Sequence, residues 1–352
     1  MKSVALEVTA RCNQKCAYCY NAWRDDGGKS VPDATTAELR RVLDTVLADP
    51  GLDHVTLTGG EPLLRKDLPE LVGVIAAAGR RVMIISNGGP DPELDVEWLA
   101  QKSVAGIQVT LAGATPQVHD AHCGSGSYVR TTAAIARMRA AKVRVMGSYL
   151  CTAKSWPDAR AVLEQFAAAG VKQVAFNRFN PSGFGTGSAE ELLPTRSQVL
   201  EALRAADTAA PQLGLKIPCT MPIPPCVVDR KEFPNIRFGG CSAGTAVGEP
   251  AVNAQGELRM CTLQRHAVGN LFSGDAERFL DLPAVTAFRQ AIPEFCQGCA
   301  HQATCLGGCG AAAEWRTGSA ASLDPFVARH VEPNYFGGVR PEGALALVPR
   351  VL

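Results

Sequence analysis

The first 210 residues alternate between short apolar runs and longer amphipathic stretches. The strand-like runs occupy residues 4–8, 54–58, 81–86, 106–111, 143–150 and 172–177. Helix-like stretches lie between them, at residues 37–48, 68–78, 130–141 and 158–169. Strands that alternate with crossover helices form a parallel sheet. The pattern predicts an α/β fold, and in a barrel of this kind the functional residues lie at the carboxyl ends of the strands.

Composition limits the function classes. A chain of 352 residues with 46% hydrophobic content can bury one large core and a smaller one. Its formal charge of +1 gives no electrostatic reason to expect nucleic acid as a partner. No run of eighteen apolar residues occurs and the start, Met1-Lys2-Ser3, enters a strand directly, so we expect neither a signal peptide nor a membrane span. Thirteen cysteines without an export signal indicate metal binding in a reducing compartment, which predicts a cytoplasmic protein.

Three cysteines, Cys12, Cys16 and Cys19, follow the first predicted strand. Thiolate sulfur suits zinc or an iron–sulfur cluster, and both centres normally take four ligands. No further His or Cys appears before His54. The simplest interpretation is a [4Fe–4S] cluster with one iron open to a small molecule, and a zinc knuckle is the alternative.

The cysteine spacing, with Tyr18 before the last thiol, resembles the radical S-adenosylmethionine (SAM) superfamily. In that family the open iron chelates SAM, and cleavage of SAM yields a 5′-deoxyadenosyl radical. The resemblance implies an open, partial (β/α)6 TIM-like barrel over the first 210 residues. It also implies a [4Fe–4S] cluster and SAM as cofactors.

Two further motifs follow the second and third predicted strands. The first reads Thr58-Gly59-Gly60-Glu61-Pro62. It resembles the family motif that holds the amino group of SAM. These residue types suit that role, since glycines permit a close backbone approach and a carboxylate accepts hydrogen bonds from ammonium. The second is Ser86-Asn87, which stands where the family binds ribose hydroxyls, with an ordinary capping turn as the alternative.

Later strands carry other candidate side chains. Gln108 and Thr110 alternate with apolar neighbours, so both face one side of the fourth strand and could contact SAM or substrate. Asn177 ends the sixth strand and could reach the adenine edge. His119 and Asp120 are expected to brace a loop after the fourth strand.

The character of the chain changes after residue 210. Five prolines between residues 211 and 225 predict a linker without regular structure, and this segment contains Cys219 and Cys226. We therefore expect a barrel over residues 1–210, a Pro-rich linker over 211–240 and a small cysteine-rich domain over 241–330. The tail, residues 331–352, is expected to pack on the surface or to be partly disordered.

A second group of cysteines begins at Cys241. Gly256 and Cys261 form a G-x4-C pattern whose flanks predict a β-hairpin, and C-x2-C-x5-C-x3-C follows at residues 296–309. The order resembles the SPASM extension, an auxiliary-cluster domain fused to radical SAM barrels. A zinc ribbon is the alternative for the C-x2-C pair.

The resemblance implies ligand sets for two auxiliary clusters. Cys241, Cys261 and Cys309 correspond to the first. Its fourth ligand normally lies slightly upstream, where Cys226 is the nearest thiol and Cys219 the next.

The second auxiliary cluster lacks one expected ligand. Cys296, Cys299 and Cys305 correspond to it, but phenylalanine, Phe326, stands where the family's last cysteine belongs. The cluster then has an open iron, is absent, or has a non-cysteine ligand, for which the candidates are Asp324, His301 and His330. The sequence therefore predicts one or two auxiliary clusters.

The resemblance covers residues 4–330 and in order and length is strongest to the radical enzymes of pyrroloquinoline quinone biosynthesis. It implies oxidative maturation of a ribosomal peptide or a peptide-derived product through the auxiliary clusters. Alternatively, the chain is a tailoring dehydrogenase or epimerase of a sugar or aminocyclitol. Cys123 and Cys151 are candidate hydrogen donors for epimerisation, as is Cys219. An electron carrier would not explain the motif at residues 58–62.

The expected partners follow from this chemistry. They are a peptide or small-molecule substrate and an electron donor such as flavodoxin or ferredoxin, with neither nucleic acid nor membrane. The cluster motif begins at residue 12, which leaves no room for an N-terminal peptide-binding domain, so a separate peptide-binding protein is also considered.

Overall fold

The computed structural model describes residues 1–21, 24, 33–89, 96–101, 103–332 and 335–336. Most of the predicted tail lies outside these residues. Within the described part of the chain, no helix combines the length and apolarity that crossing a membrane requires.

A nine-stranded sheet forms the centre of the molecule. Its strands are β1 (Ser3–Thr9), β2 (His54–Gly59), β3 (Arg81–Ser86), β4 (Val104–Leu111), β5 (Val145–Cys151), β6 (Val174–Arg178), β9 (Ala251–Val252), β10 (Glu257–Arg259) and β11 (Gly269–Asn270). Two further strands, β7 (Ile217–Cys219) and β8 (Ile236–Phe238), form a separate small sheet. Strands β1 to β6 are parallel and lie in chain order, each hydrogen-bonded to the next. All six predicted strands are confirmed, as is the α/β partial-barrel fold.

Helices pack beside this sheet and in the cysteine-rich region. They are α1 (Thr36–Leu47), α2 (Leu68–Ala77), α3 (Pro116–Cys123), α4 (Ser127–Ala140), α5 (Ala159–Ala168), α6 (Ala189–Leu192), α7 (Arg196–Leu213), α8 (Pro283–Gln290), α9 (Gln302–Cys305), α10 (Gly310–Thr317) and α11 (Pro325–Val331). Reciprocal side-chain and backbone bonds between Thr35 and Glu38 start α1, and Thr195 and Gln198 start α7 in the same way.

The predicted loop after β4 is helical. His119 and Asp120 belong to α3, although both brace the structure as expected. The Asp120 carboxylate accepts hydrogen bonds from the amides of Gly126 and Tyr128, at 2.6 and 2.8 Å. It therefore fixes the turn into α4.

The two faces of the parallel strands differ in polarity. Val4, Leu6 and Val8 of β1 belong to the main apolar core, as do the alternate residues of the neighbouring strands. The opposite face carries polar side chains such as Glu7 and Thr58. Side chains alternate along a strand, so this second face forms the interior of the partial barrel.

The C-terminal hairpin extends the barrel sheet. Strands β9 and β10 form the predicted hairpin, and β11 adds a third strand. Strand β9 also pairs in parallel with β1, so the cysteine-rich region continues the sheet beyond its first strand. Sequence reasoning did not indicate this pairing.

The prediction that residues 211–240 lack regular structure is wrong in part. Helix α7 extends to Leu213, with Pro211 inside it. Strands β7 and β8 then form a two-stranded parallel sheet, with Cys219 opposite Phe238. The backbone donors and acceptors of these short runs pair with each other, which the proline count did not suggest.

A buried ion pair joins the barrel to the C-terminal segment. Arg178 at the end of β6 and Asp324 before α11 are both fully buried and paired. The Arg178 Nε also donates to Pro222 O at 2.9 Å, and Asp324 accepts hydrogen bonds from the amides of Cys309 and Phe326, at 2.7 and 2.8 Å. Nearly all the polar groups around this pair have partners, as buried charges require.

Removal of the buried carboxylate should destabilise the fold. In Asp324→Ala, the Arg178 guanidinium stays buried without its counter-charge, and we expect a loss of about 3–5 kcal/mol in the free energy of unfolding. Urea unfolding followed by circular dichroism measures it. Glu164→Ala is the matched control, since Glu164 pairs with Arg160 on an exposed helix surface and should cost about 0.3–0.5 kcal/mol. Equal losses in the two variants would contradict this account.

Candidate active site

The three N-terminal cysteines lie together directly after β1, at the carboxyl end of the sheet. Burial raises the pKa of the Cys12 thiol, and the charge of Cys16 acts in the same direction. Burial also raises the pKa of Cys19, to about 11. These thiols are therefore neighbours in a poorly solvated place, where thiolates need positive charge to be stable.

This donor set fits an iron–sulfur cluster. The Arg24 guanidinium lies beside it, with Nη1 3.9 Å from Cys19 Sγ. Among the described residues, no three His, Cys, Asp or Glu side chains converge closely enough to share one metal ion. A [4Fe–4S] cluster is held through thiolates on separate irons, so its ligands do not converge on one point. Since ligands must lose their protons, loading should become easier as pH rises.

The glycines at the end of β2 pack against the backbone where β1 leads into the cysteine loop. The Gly60 amide donates to Thr9 O at 2.7 Å, and the Glu61 amide donates to Arg11 O at 2.8 Å. A Cβ on Gly60 would lie 2.0 Å from Arg11 O, and one on Gly59 would lie 2.4 Å from Thr9 O. The close approach is therefore to the loop that carries the cysteines.

A test of this packing is Gly60→Ala. The added methyl overlaps a carbonyl oxygen, and such overpacking costs about 1–3 kcal/mol. We expect a loss of that size in the free energy of unfolding, together with reduced iron in the N-terminal cluster. Gly73→Ala is the matched control, because Gly73 lies inside α2 with open space around it and alanine there should stabilise by about 0.5–1 kcal/mol. Normal iron loading of Gly60→Ala would contradict the prediction.

Glu61 joins the ends of β2 and β3. Its carboxylate is fully buried and accepts hydrogen bonds from Leu63 N, Ser86 Oγ and Asn87 N, at 2.9, 2.8 and 2.6 Å. Burial raises the Glu61 pKa to about 7, although these donors oppose the shift. Pro62 begins a single 3-10 turn directly afterwards. The protein's own groups thus use the carboxylate to hold the two strand ends together.

Asn87 reaches from β3 back to the cysteine loop. Its Nδ2 donates to Asn13 Oδ1 at 2.7 Å and lies 3.7 Å from Cys12 Sγ. Its backbone carbonyl accepts a hydrogen bond from Thr131 Oγ1 at 3.0 Å. Asn87 therefore lies beside the candidate cluster and Ser86 beside Glu61, and the contact of both residues with ribose stays a prediction.

Cys123 lies next to the cysteine loop. Its Sγ is 3.3 Å from the Tyr18 hydroxyl, and the Ala17 amide donates to His122 O at 2.8 Å. A hydrogen bond with Cys123, together with burial, raises the pKa of Cys16 well above its ordinary value. The end of α3 thus packs a fourth thiol against the loop, which the sequence spacing did not indicate.

The interior face beside these motifs is polar. Gln108 and Thr110 are half-buried there, and Thr110 lies opposite Ser148 of β5. Asn177 Nδ2 is 3.4 Å from Ser148 Oγ, and Asn177 Oδ1 accepts a hydrogen bond from Thr220 at 2.7 Å. These amide and hydroxyl side chains therefore face the interior of the partial barrel together.

Cys151 does not join this group. It is fully buried in the apolar core, on the same face of β5 as Gly147. A Cβ on Gly147 would touch the Phe166 ring of α5 at 2.9 Å, so this face is the helix-covered one. The assignment of Cys151 as a hydrogen donor to the substrate is therefore not supported, because strand alternation places Ser148 inward instead.

A buried ion pair in the interior was not predicted. Arg259 of the hairpin strand β10 reaches Glu7 of β1, and both side chains are almost fully buried. Nearby, the Tyr20 hydroxyl lies 3.0 Å from Thr58 Oγ1. The sequence signal for this pair is a single glutamate inside an apolar strand, and its partner is about 250 residues away.

The first set of C-terminal cysteines lies together. Cys241 and Cys261 both pack on the apolar cluster around Met260, and Cys261 also packs on the cluster that contains Cys309. Burial raises the pKa of Cys261 to about 11, with the Cys241 charge acting in the same direction. These three thiols are grouped as the sequence predicted.

Cys226 lies with the second set. It lines one pocket together with Cys296, Cys299 and Cys305. Burial raises its pKa to about 12, and the charges of Cys305, Cys296 and Cys299 add to the shift. The expectation that Cys226 joins Cys241, Cys261 and Cys309 is therefore not supported by its position.

The other upstream thiol and the candidate non-cysteine ligands lie in different places. Cys219 is buried in the main core, with its Sγ 3.4 Å from Met221 O. Asp324 is engaged by Arg178, as described above, and His330 is buried on α11. His301 lines the four-cysteine pocket.

The sequence matches known proteins over nearly its whole length. Residues 6–154 match the Radical SAM superfamily. The chain is 30% identical over 344 residues to a PqqA peptide cyclase of Xanthomonas axonopodis pv. citri (strain 306), which covers 93% of this chain and 87% of that protein. A PqqA peptide cyclase of Gluconobacter oxydans (strain 621H) is 26% identical over 359 residues, with coverages of 97% and 96%.

Solved structures share the fold at low sequence identity. Streptococcus suis SuiB bound to the precursor peptide SuiA superposes with a TM-score of 0.70 at 14% identity, covering 92% of this chain and 74% of SuiB. The enzyme anSMEcpe with bound AdoMet and the Cp18Cys peptide gives a TM-score of 0.70 at 16% identity, with coverages of 92% and 93%.

Proposed function

Because this chain belongs to the radical SAM superfamily, in the family of the PqqA peptide cyclases, we propose that it oxidatively modifies a peptide substrate. The chain is a radical SAM enzyme, and its cofactors are a [4Fe–4S] cluster and SAM. The observation that carries the peptide proposal is the 30% identity with a peptide cyclase over nearly the whole chain.

The residues at the strand ends would bind the N-terminal cluster and support the loop that carries its ligands. Cys12, Cys16 and Cys19 would hold the cluster, and Glu61 and Asn87 would keep their loop in place. When bound, the cluster and SAM supply a 5′-deoxyadenosyl radical that removes a hydrogen atom from an unactivated C–H bond.

The interior side chains suit a peptide. Gln108 and Thr110 present amide and hydroxyl groups, together with Ser148, and such groups can donate to and accept from the backbone of an extended peptide. Such hydrogen bonds would fix the orientation of the peptide backbone without selecting one particular side chain of the substrate.

We propose oxidation rather than epimerisation. After hydrogen abstraction the substrate would lose one electron to an auxiliary cluster and one proton to solvent, which removes two hydrogens in total. Epimerisation would instead need a thiol donor facing the substrate. Cys151 and Cys219 lie in the main core, and Cys123 is buried against the Tyr18 hydroxyl.

Two partners complete the proposal. An electron donor such as a flavodoxin or ferredoxin would reduce the N-terminal cluster. A separate peptide-binding protein would present the substrate.

The test is an anaerobic assay of the iron-reconstituted protein with SAM, a strong reductant and size-fractionated extract of the native host. We expect the peptide fraction to stimulate 5′-deoxyadenosine formation and to yield a product lighter by two hydrogens. The same fraction digested with proteinase K is the control and should not stimulate.

A protease-resistant stimulation by the small-molecule fraction would overturn the peptide proposal in favour of tailoring. A product whose mass is unchanged in ordinary water, but which takes up deuterium when the reaction is run in deuterated water, would overturn oxidation in favour of epimerisation.

A further inference from the structure

Four thiols from three separate segments line one pocket. Cys226 comes from the proline-rich segment, Cys296 and Cys299 from a turn, and Cys305 from the end of α9. The pocket encloses about 380 Å³, including its open mouth. His301 and Val327 also line it.

The local backbone brings the three downstream thiols to one side. The Cys299 amide donates to Cys296 O at 3.2 Å, which closes the turn between these two residues. After Cys305 three successive residues have positive φ: Leu306, Gly307 and Gly308, at 53°, 83° and 101°. A Cβ on Gly307 would lie 2.6 Å from Pro293 Cγ and 3.6 Å from Cys296 Sγ. This tight turn leaves Cys305 in the pocket and carries Cys309 away to the other set.

The position of Cys226 is anchored from both sides. The amides of Val227 and Val228 both donate to Pro224 O, at 3.0 and 3.1 Å, and both valine side chains are buried in the core. Arg230 donates from Nε and Nη2 to Ile223 O, at 3.1 and 2.7 Å. The turn at Pro225 and Cys226 is thus held firmly at the pocket.

The C-terminal segment, by contrast, offers no thiol. Helix α11 places Val327 in the pocket wall, and Phe326 is buried beneath the Arg178 guanidinium, 4.9 Å from it. Apolar side chains therefore occupy the place where the sequence pattern leads one to expect the last cysteine.

We propose that Cys226 is the fourth thiolate of the second auxiliary [4Fe–4S] cluster, with Cys296, Cys299 and Cys305. The inference rests on the proposed function only in assuming that this domain carries auxiliary clusters. Four cysteines on four irons is the usual complement of such a cluster. The site then needs neither an open iron nor a carboxylate or imidazole ligand.

Alkylation under native conditions tests the assignment. The reconstituted protein is treated anaerobically with iodoacetamide, and labelling of each cysteine is measured by mass spectrometry. Ligation to iron blocks a thiol, so we expect labelling of Cys226 to be roughly 10-fold slower than in chelator-stripped protein. Cys219, buried in the core away from this pocket, serves as the internal reference and should not respond.

Paired variants identify the cluster that protects Cys226. Protection should be lost in Cys296→Ala/Cys299→Ala and kept in Cys241→Ala/Cys261→Ala. The reverse pattern would assign Cys226 to the first auxiliary set and overturn the proposal. Rapid labelling of Cys226 in the reconstituted wild type would also overturn it.

Iron content shows whether Cys226 or His301 is the fourth ligand of the second auxiliary cluster. In a background of Cys12→Ala/Cys16→Ala/Cys19→Ala, adding Cys226→Ala should lower iron by up to one cluster, about four irons per chain, and adding His301→Ala should not. Iron loss only with His301→Ala would overturn the assignment. Because labelling and iron content need no substrate, a protein that failed to modify peptide but protected Cys226 would refute the proposed function alone.

Discussion

Replacement of Cys12 by alanine is expected to abolish SAM cleavage. Cys12 is one of three neighbouring thiols after β1, and Asn87 lies within 3.7 Å of its sulfur. Loss of a residue that only supports a metal ligand costs about 10–100-fold in affinity or activity, so loss of a ligand itself should lower 5′-deoxyadenosine formation by roughly 100-fold or more. The measurement is 5′-deoxyadenosine per cluster under anaerobic conditions.

Lys15→Ala is the matched control for Cys12→Ala. Lys15 lies in the same loop, between Cys12 and Cys16, with an exposed side chain. We expect it to cleave SAM at close to the wild-type rate. Retained 5′-deoxyadenosine formation by Cys12→Ala would refute the assignment of the N-terminal cysteines.

Replacement of Cys299 by alanine should separate SAM cleavage from product formation. Cys299 lies in the four-cysteine pocket, which is built by segments other than the cysteine loop. The variant should therefore still form 5′-deoxyadenosine abortively. If an auxiliary cluster accepts the substrate electron, the product lighter by two hydrogens should fall below detection.

Gln297→Ala provides the comparison for Cys299→Ala, because Gln297 is exposed in the same turn and carries no thiol. It should form product normally. Normal turnover by Cys299→Ala would mean that this cluster takes no part in the reaction. Loss of both SAM cleavage and product would mean that the variant has damaged the barrel as well.

The N-terminal half of the site was predictable because its determinants are local. Cys12, Cys16 and Cys19 are separated by three and two residues, so any compact loop brings them together. The Gly59–Gly60 pair follows the neighbouring strand, and parallel strands end at the same edge of a sheet. The structure added the reason for these glycines, which is contact with the carbonyl oxygens of Thr9 and Arg11.

The placement of single thiols was not predictable in the same way. Cys151 follows a predicted strand, but whether it faces the interior depends on which alternate residues the helices cover. Cys226 lies seventy residues before Cys296, and its partner set depends on how the turn at Pro224 docks on the core. Sequence proximity suggested the wrong set for Cys226, since it says nothing about long-range docking.

The sequence by itself determined the strand–helix alternation, the N-terminal cysteine triad and the grouping of Cys296, Cys299 and Cys305, because each depends on residues at nearby positions. The grouping of Cys241, Cys261 and Cys309, which lie far apart in the chain, came instead from the resemblance of the cysteine order to the SPASM extension. The tertiary structure alone decided that β9 joins β1, that Arg178 and Asp324 are buried together, and that Cys226 faces the second set. These contacts join segments far apart in the chain. Their free energy comes from burial and charge pairing that exist only after the barrel and the cysteine-rich region pack against each other.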